Sequence, residues 1–298
     1  MNILRNLAAI ILVALVINGC DYVQPYTPKV VVVVDTTGVI TSTITDFTTV
    51  RNVLIEDYSG HHCGNCPLGA LELDTLINVY GQQVVPVNIQ AGFFANYLAS
   101  PYTTVFSTSV GNDWDNTFGI SAIGNPAGMV DRHSGPPNGF WDTWGTWPDS
   151  CQIILPQPNA ANIKITNVYR AAKRSLTTTV TSTFLQALPS SYKLSVVVTE
   201  DSIIDYQLNY HHTPEDEPNY VFNHMLKASF NGSWGDTLAT APTSNATFTK
   251  TYSLALGTSV NTSGIPNILV DKHCHVVAFI YDAATLDVIQ AAECWVTQ

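Results

Sequence analysis

The sequence is poor in charged residues, and basic residues are especially scarce. Charged residues make up 12% of the 298 positions, with 12 Lys and Arg against 23 Asp and Glu, for a formal net charge of −11. So little positive charge argues against a nucleic acid or an anionic membrane surface as the partner. We therefore expect no nucleic-acid-binding function. The abundance of Thr, Ser, Asn and Val is typical of an exported, β-rich protein.

Internal repeats and heptads are missing, and the apolar run Leu7–Ile17 is too short to span a bilayer comfortably. The run has the length of a signal-peptide core. It ends in the letters INGC, which resemble the lipobox of bacterial lipoproteins, where the cysteine becomes lipidated. We expect residues 1–19 to be a lipoprotein signal peptide, Cys20 to be the lipidated residue, and residues 20–28 to be a tether.

The usual partner motifs of a metal or haem site are also missing. A zinc site commonly needs a second CxxC or an HxxxH, and neither occurs in the sequence. Covalent haem needs a histidine directly after the second cysteine of the pair, where Pro67 stands. We therefore expect no cofactor and no metal. Copper bound by Cys63, Cys66 and a histidine stays open as an alternative.

Export places the chain in an oxidising compartment, where cysteines tend to pair. An odd number of cysteines remains if Cys20 is lipidated, so one is free or in exchange. The five remaining cysteines are Cys63, Cys66, Cys151, Cys274 and Cys294.

Cys63 and Cys66 lie three residues apart, between a strand-like run and an apolar segment with helical spacing. Unsatisfied N–H groups and a partial positive charge at a helix N-terminus stabilise a thiolate. The pattern predicts thiol–disulfide exchange, in which Cys63 attacks the substrate disulfide and Cys66 resolves it. An inert disulfide is the alternative. His61 and His62 are loop residues on this interpretation, or they tune the thiolate by proximity.

The segment PQPNAAN is the best candidate for a domain linker. Helix and strand patterns mix before it. Beyond it, alternating runs such as YKLSVVVTEDSIIDYQ are separated by polar turns, as in an antiparallel sandwich. We predict a first domain at residues 29–155, a linker at 156–162 and a β-sandwich domain at 163–298.

The order of strand, DYSGHHCGNCP, helix, strand and GNPAGMVDR resembles the thioredoxin-like fold. The resemblance implies that Pro126 faces the cysteine pair after a cis peptide bond and shapes a substrate groove. It also implies a buried acid that shuttles the proton, either Asp57 or Glu56, because strand alternation buries only one of the two. His62 departs from the pattern, since thioredoxins commonly have tryptophan there.

A closer resemblance covers most of the mature chain. Four segments in order resemble the twenty-eight-kilodalton outer-membrane lipoprotein family of Bacteroidota, namely VLIEDYSGHHCGNCP, NPAGMVDR, VFNHMLKASFNGSWGD and HVVAFIYDAATLDVIQAAE. The fold class that this resemblance implies is an α/β thioredoxin-like domain followed by an all-β immunoglobulin-like sandwich. It also implies a lipid-anchored location in the cell envelope, at the outer membrane.

The last two cysteines fall on a predicted hairpin, whose strands CHVVAFIYD and LDVIQAAEC flank the letters AAT. If Tyr281 faces Asp287, Cys274 lies opposite Cys294, close enough for a structural disulfide. A register slip of one residue would place them on opposite faces. Cys151 is then left over, as a buried inert thiol or as a resolving or intermolecular cysteine.

The leading functional hypothesis is an envelope thiol–disulfide oxidoreductase whose partners are exported protein thiols or disulfides. The alternative is a non-catalytic binding or adhesion protein that uses the fold as a scaffold, because fold does not determine function. An exchanger would have an exposed Cys63 with a low pKa. A scaffold disulfide would be buried and would resist reduction.

Overall fold

The structure is a computed structural model, and four stretches of the chain are described: residues 30–44, 50–133, 142–257 and 269–298. The predicted signal peptide at 1–19, the lipidation site Cys20 and the tether at 20–28 lie outside these stretches. Within them, no helix is long and apolar enough to cross a membrane.

Strand is the dominant secondary structure, at 45% against 20% helix. The strands are β1 (Val30–Val34), β2 (Val39–Ile44), β3 (Val53–Ser59), β4 (Val84–Gln90), β5 (Ala127–Val130), β6 (Asp142–Thr143), β7 (Ala161–Arg170), β8 (Ser175–Phe184), β9 (Ser191–Glu200), β10 (Ile203–Leu208), β11 (Asp216–Phe222), β12 (Met225–Ser229), β13 (Asp236–Thr240), β14 (Thr247–Ala255), β15 (Cys274–Asp282) and β16 (Val288–Trp295). The α-helices are α1 (Cys66–Tyr80), α2 (Ser109–Phe118), α3 (Ile120–Ile123) and α4 (Trp147–Ile154). Short 3₁₀ turns occupy Phe93–Ala95, Trp144–Thr146, Ala171–Lys173 and Asp271–His273.

The described strands form three sheets. The largest has nine strands in the order β16-β15-β9-β12-β4-β3-β5-β6, with β13 also pairing with β9. A five-stranded antiparallel sheet has the order β1-β2-β7-β8-β14, and β10 pairs only with β11 in a two-stranded sheet.

The predicted fold class, an α/β thioredoxin-like domain followed by an all-β immunoglobulin-like sandwich, is wrong. The chain is mostly β, and strands from both of its halves share the nine-stranded sheet. The seam lies at Met225, which pairs with Asn88 of β4 on one side and with Glu200 of β9 on the other. A pattern confined to either half carries no information about this pairing.

The five-stranded sheet packs against the C-terminal part of the nine-stranded sheet. Strand β8 shows why: its residues alternate between buried and partly exposed, so that Leu176, Val180 and Phe184 face inward. They join an apolar cluster with β9 residues such as Val196 and β15 residues such as Val276. This cluster is the larger core of the molecule.

The N-terminal part of the nine-stranded sheet is covered by helices on both faces. Strand β3 is buried along its whole length, because β4 and β5 flank it in the sheet. Leu73 of α1 and Trp147 of α4 pack on one face with Val53, while Trp114 of α2 packs on the other with Leu54. This arrangement fixes the end of β3, where the cysteine pair begins.

Candidate functional site

The cysteine pair lies between the end of β3 and the first turn of α1. Cys63 and Cys66 form a disulfide with a Cα–Cα distance of 5.4 Å. The Cys66 amide donates to the Cys63 carbonyl, and Pro67 occupies the first helical turn, where its missing N–H leaves no bond unmade. The side chains are only 3% and 2% exposed. In this closed state neither sulfur is available to an incoming thiol.

A hairpin from the C-terminal half covers the pair. We call residues 203–222, which contain β10 and β11, the cover hairpin, and residues 60–66 the disulfide loop. The Leu208 amide donates to the His61 carbonyl, and the Tyr210 amide donates to the Gly64 carbonyl, both at 2.9 Å. The side-chain amide of Gln207 donates to the Cys63 carbonyl at 2.9 Å. The burial of the disulfide therefore depends on a segment more than 130 residues away in sequence.

The disulfide loop is also surrounded by aromatic rings. The His62 ring lies 5.5 Å from the Phe93 ring, and the His61 ring lies 5.5 Å from both the Tyr102 and the Phe106 rings. Burial lowers the pKa of both histidines. Both are therefore neutral at neutral pH, and this geometry gives no support to a role as positive charges that tune a thiolate.

Asp57 lies near the end of β3, the strand that leads into the disulfide loop. Burial raises its pKa to about 7, although a 2.7 Å hydrogen bond from the Asn88 amide favours the charged form. The second carboxylate oxygen, Oδ1, is buried without a hydrogen-bond partner. Asp57 and Cys66 both line a cavity of about 50 Å³, which is roomy enough for water.

The cavity lies between α1 and the cover hairpin. Asp74 of α1 and Gln207, Tyr220 and His224 are among its other polar lining residues. A group that titrates near neutral pH and shares a polar cavity with a sulfur is able to exchange protons there through water. This property would matter only once the disulfide is open.

Glu56, the alternative acid, points to the opposite face of β3. It forms a bidentate ion pair with Arg132 at 2.6 and 2.7 Å, and neither side chain is exposed. The Arg132 guanidinium lies over the rings of Trp114 and Phe279, each at 4.8 Å. Glu56 is thus committed to a buried charge pair, and Asp57 is the acid that shares the space around the cysteines.

Pro126 joins the same group of residues. The Asn125–Pro126 peptide bond is cis, as predicted. A Cβ atom placed on Gly69 of α1 would lie 2.9 Å from the Pro126 Cβ and 3.5 Å from Asp57 Oδ1. Glycine at position 69 therefore lets Pro126, Asp57 and the first turns of α1 meet. Of the predicted catalytic residues the structure gathers Cys63, Cys66, Asp57 and Pro126, and their catalytic roles stay predictions.

The predicted disulfide between Cys274 and Cys294 is wrong, since both are free thiols. Tyr281 pairs with Val288, one residue later than predicted, and a β-bulge adds a second step. Cys294 therefore faces Val276 instead of Cys274. Both thiols are buried in the larger apolar core, and burial raises both pKa values, that of Cys294 to about 12.

Cys151 of α4 is a third buried free thiol. Burial raises its pKa to about 12, and it packs with apolar residues of α1, α4 and the nine-stranded sheet. Among the described residues, no group of three or more His, Cys, Asp or Glu side chains is placed to hold a metal ion.

Sequence reasoning missed the residues that close the site from the C-terminal half. Gln207 and Tyr210 carry no motif, and the segment that follows them reads as a solvated acidic loop. The only signal is that IIDYQL, which forms β10, alternates as a strand. Its partner across space was not readable from that pattern.

Comparisons with solved structures bear on the fold. HBP35 of Porphyromonas gingivalis is similar over 83% of this chain and 76% of its own, at 16% identity and a TM-score of 0.58. A domain of the outer membrane lipoprotein Omp28 from Porphyromonas gingivalis is 20% identical over 45% of this chain and 86% of its own. Its TM-score of 0.30 is too low to support an argument about fold.

No curated protein matches the chain in sequence. A family model does match: the model described as outer membrane protein Omp28 covers residues 112–297, which is more than half of the chain. The matched residues include the cover hairpin and exclude the disulfide loop. The chain therefore belongs to the outer membrane protein Omp28 family, as a lipid-anchored protein of the outer membrane.

Proposed function

We propose that this outer-membrane lipoprotein is a binding protein of the cell envelope, in which the Cys63–Cys66 disulfide has a structural role. The observation that carries the proposal is the burial of both sulfurs under the cover hairpin. An exchanger needs an accessible sulfur, whereas a structural disulfide is buried. The family match supports the envelope location without adding a catalytic residue.

The binding surface consists of exposed aromatic side chains that border the disulfide loop. We call Phe93, Tyr97 and Tyr210, which are 71%, 58% and 56% exposed, the aromatic rim. Phe93 contacts the His62 ring, and Tyr97 follows Asn96, whose carbonyl bonds the His61 ring. Tyr210 lies on Gly64.

Exposed aromatic side chains that cluster in this way are typical of protein–protein contact surfaces. They offer large apolar contact area with few rotatable bonds, and tyrosine adds a hydrogen-bonding hydroxyl. The partner that fits the aromatic rim is accordingly a polypeptide of the envelope with apolar side chains.

The test is site-specific photo-crosslinking of the full lipoprotein in the cells that produce it. A photoreactive residue at Tyr97 should yield a discrete crosslinked polypeptide, and Tyr210→Ser should weaken the crosslink. The matched control is the same probe at Thr249, an exposed position on the five-stranded sheet. Equal crosslinking at Tyr97 and Thr249 would contradict the proposal.

Thiol–disulfide exchange is the second candidate function, and Asp57 is the observation that favours it. A buried carboxyl group with a pKa of about 7 and an unpaired oxygen shares a cavity with Cys66. Perturbed acids of this kind cluster at functional sites. On this hypothesis Cys63 attacks, Cys66 resolves, and Asp57 carries the proton.

A redox titration separates the two candidates. The Cys63–Cys66 pair is equilibrated with glutathione, and insulin-disulfide reduction is measured for the wild type, Cys63→Ser and Cys66→Ser. A potential below about −300 mV without turnover is expected for a structural disulfide. Turnover that both substitutions abolish would instead establish the exchanger.

A further inference from the structure

The cover hairpin is attached to the disulfide loop mainly through the loop's carbonyl groups. The four acceptors are the carbonyls of Gly60, His61, Cys63 and Gly64. The donors are the Leu208 amide, the Gln207 side chain, which reaches both Gly60 and Cys63, and the Tyr210 amide. Two of these acceptors belong to residues inside the ring that the Cys63–Cys66 bond closes. The disulfide therefore fixes the directions in which those two carbonyls point.

The hairpin also fits the loop closely at one place. A Cβ atom at Gly64 would lie 2.5 Å from the Tyr210 ring, so the ring lies directly against the loop backbone. A change in the loop's conformation that shifts Gly64 therefore alters its contact with this ring. The contact makes the hairpin sensitive to the loop's shape.

Elsewhere the hairpin is held to the body of the protein by side-chain contacts and not by strand pairing. Among the described strands, β10 and β11 pair with each other and join neither larger sheet. The polar cavity of about 50 Å³ separates its inner side from α1 and Asp57. On its other side, Thr104 donates to Asp205 at 2.5 Å, Tyr102 donates to Asp216, and Phe106 packs on Phe222.

We propose that the cover hairpin is a redox-linked cover, which is docked while Cys63 and Cys66 are bonded and released when they are reduced. Reduction breaks the S–S bond and adds two electrons and two protons, supplied by a dithiol that itself becomes a disulfide. Without the S–S bond the loop is no longer a closed covalent ring. The Cys63 and Gly64 carbonyls are then no longer held in the direction of the hairpin. When the cover hairpin is released, the cavity opens to solvent and the aromatic rings next to the disulfide loop become exposed. This inference goes beyond the proposed binding function and does not depend on it.

Linkage makes the proposal reciprocal. If the oxidised loop holds the hairpin more tightly than the reduced loop does, the docked hairpin must favour the disulfide by the same factor. Weakening the hairpin contacts should therefore make the disulfide easier to reduce. Both directions can be measured separately.

The first experiment is hydrogen–deuterium exchange of the full chain, oxidised or reduced with dithiothreitol. Peptides from residues 203–222 should lose protection on reduction, while peptides from β9 should keep theirs. Unchanged protection of 203–222 in the fully reduced protein would overturn the proposal. This measurement uses the wild-type sequence, so it does not rely on a variant that folds.

The second experiment measures the reduction equilibrium of the disulfide against dithiothreitol in Gln207→Ala and Tyr210→Ala. Loss of one hydrogen bond or ring contact should shift that equilibrium toward the dithiol by about two- to tenfold. Tyr206→Ala is the matched control, because this exposed residue lies on the same strand and has no bond to the loop. Equal equilibria in all three variants and the wild type would overturn the reciprocal half of the proposal.

Discussion

The two pairs of cysteines lie in contrasting parts of the molecule. Cys63 and Cys66 belong to one loop, where a turn of four residues brings the sulfurs together whatever the rest of the fold does. Cys274 and Cys294 lie on neighbouring strands, where the register of the whole hairpin decides their distance. Pairing is therefore a local property in the first case and a property of the sheet in the second.

The surroundings differ as well. The disulfide side of the molecule buries the side chains of Glu56, Asp57 and Arg132, whereas the strand cysteines join a cluster of aliphatic and aromatic side chains, with the acid Glu200 next to Cys274. Buried polar groups cost free energy unless they are paired, and apolar cores keep thiols neutral and unreactive. The contrast predicts that substitutions on the two sides will behave differently.

The largest effect is expected at the buried ion pair. Arg132→Met leaves Glu56 buried and unpaired, so the free energy of unfolding should fall by about 3–5 kcal/mol. Urea denaturation at pH 7 measures the change. The double variant with Glu56→Gln should recover much of the loss, because it removes the orphaned charge. If Arg132→Met alone is as stable as the wild type, the buried ion pair does not make this side of the molecule more sensitive to substitution than the apolar core.

The second-largest effect is expected at Asp57, where replacing the carboxyl group should increase the stability of the protein. Burial raises the pKa of Asp57 to about 7, so the folded protein holds a proton there between about pH 4 and pH 7 that the unfolded chain releases. Stability therefore falls as pH rises through this window and stays low above it. Asp57→Asn should raise the free energy of unfolding at pH 8 by up to about 4 kcal/mol.

Urea denaturation between pH 4 and pH 8 is the measurement, with Asp149→Asn as the control. Asp149 is exposed in α4, so its variant should follow the wild-type profile. If the free energy of unfolding of Asp57→Asn depends on pH in the same way as that of the wild type, contacts in the folded protein offset the cost of burying the Asp57 carboxylate.

A smaller effect is expected from removal of the disulfide. Cys63→Ala with Cys66→Ala should lower the free energy of unfolding by about 2 kcal/mol, since the bond closes a loop of only four residues. The variant's stability should not change when dithiothreitol is added, whereas the wild type's should fall. Cys274→Ala with Cys294→Ala keeps the Cys63–Cys66 bond, so dithiothreitol should lower its stability as much as the wild type's and leave the difference between the two unchanged.

The smallest effect concerns thiol reactivity in the folded state. Burial raises the pKa of Cys151 and of Cys294 to about 12, so few thiolates exist at pH 8. Iodoacetamide should label neither these two nor Cys274 until the protein is unfolded. Mass spectrometry counts the labels. Rapid labelling of Cys274 or Cys294 in the native protein would mean that the strand pair opens.

The features that the sequence predicts correctly are local. The pair at Cys63 and Cys66, the helix that follows it and the cis bond before Pro126 each depend on neighbouring residues or on one recognisable motif. The sequence leaves the choice between Asp57 and Glu56 open, because strand alternation indicates that the two side chains point to opposite faces without indicating which face holds the cysteines.

The features that the sequence does not predict depend on distant pairing. One extra residue in the turn and one bulge shift the register, so that Cys294 pairs with Val276 instead of Cys274. Residue propensities do not predict a register shift of this size. Likewise the pairing of Asn88 with Met225 spans nearly half of the chain. Both errors arise because local patterns specify strands, whereas the register between strands is specified by packing in the finished sheet.

The seam at Met225 has a consequence for how the protein is made. Strand β4 leaves the ribosome and crosses the inner membrane well before Met225 does, so its edge toward β12 has no partner during that interval. Unpaired strand edges are templates for wrong pairing, and contacts between distant segments form slowly. A β4 strand that forms before residues 224–229 arrive therefore has an open sheet edge, and the arrival of those residues ends that period of vulnerability.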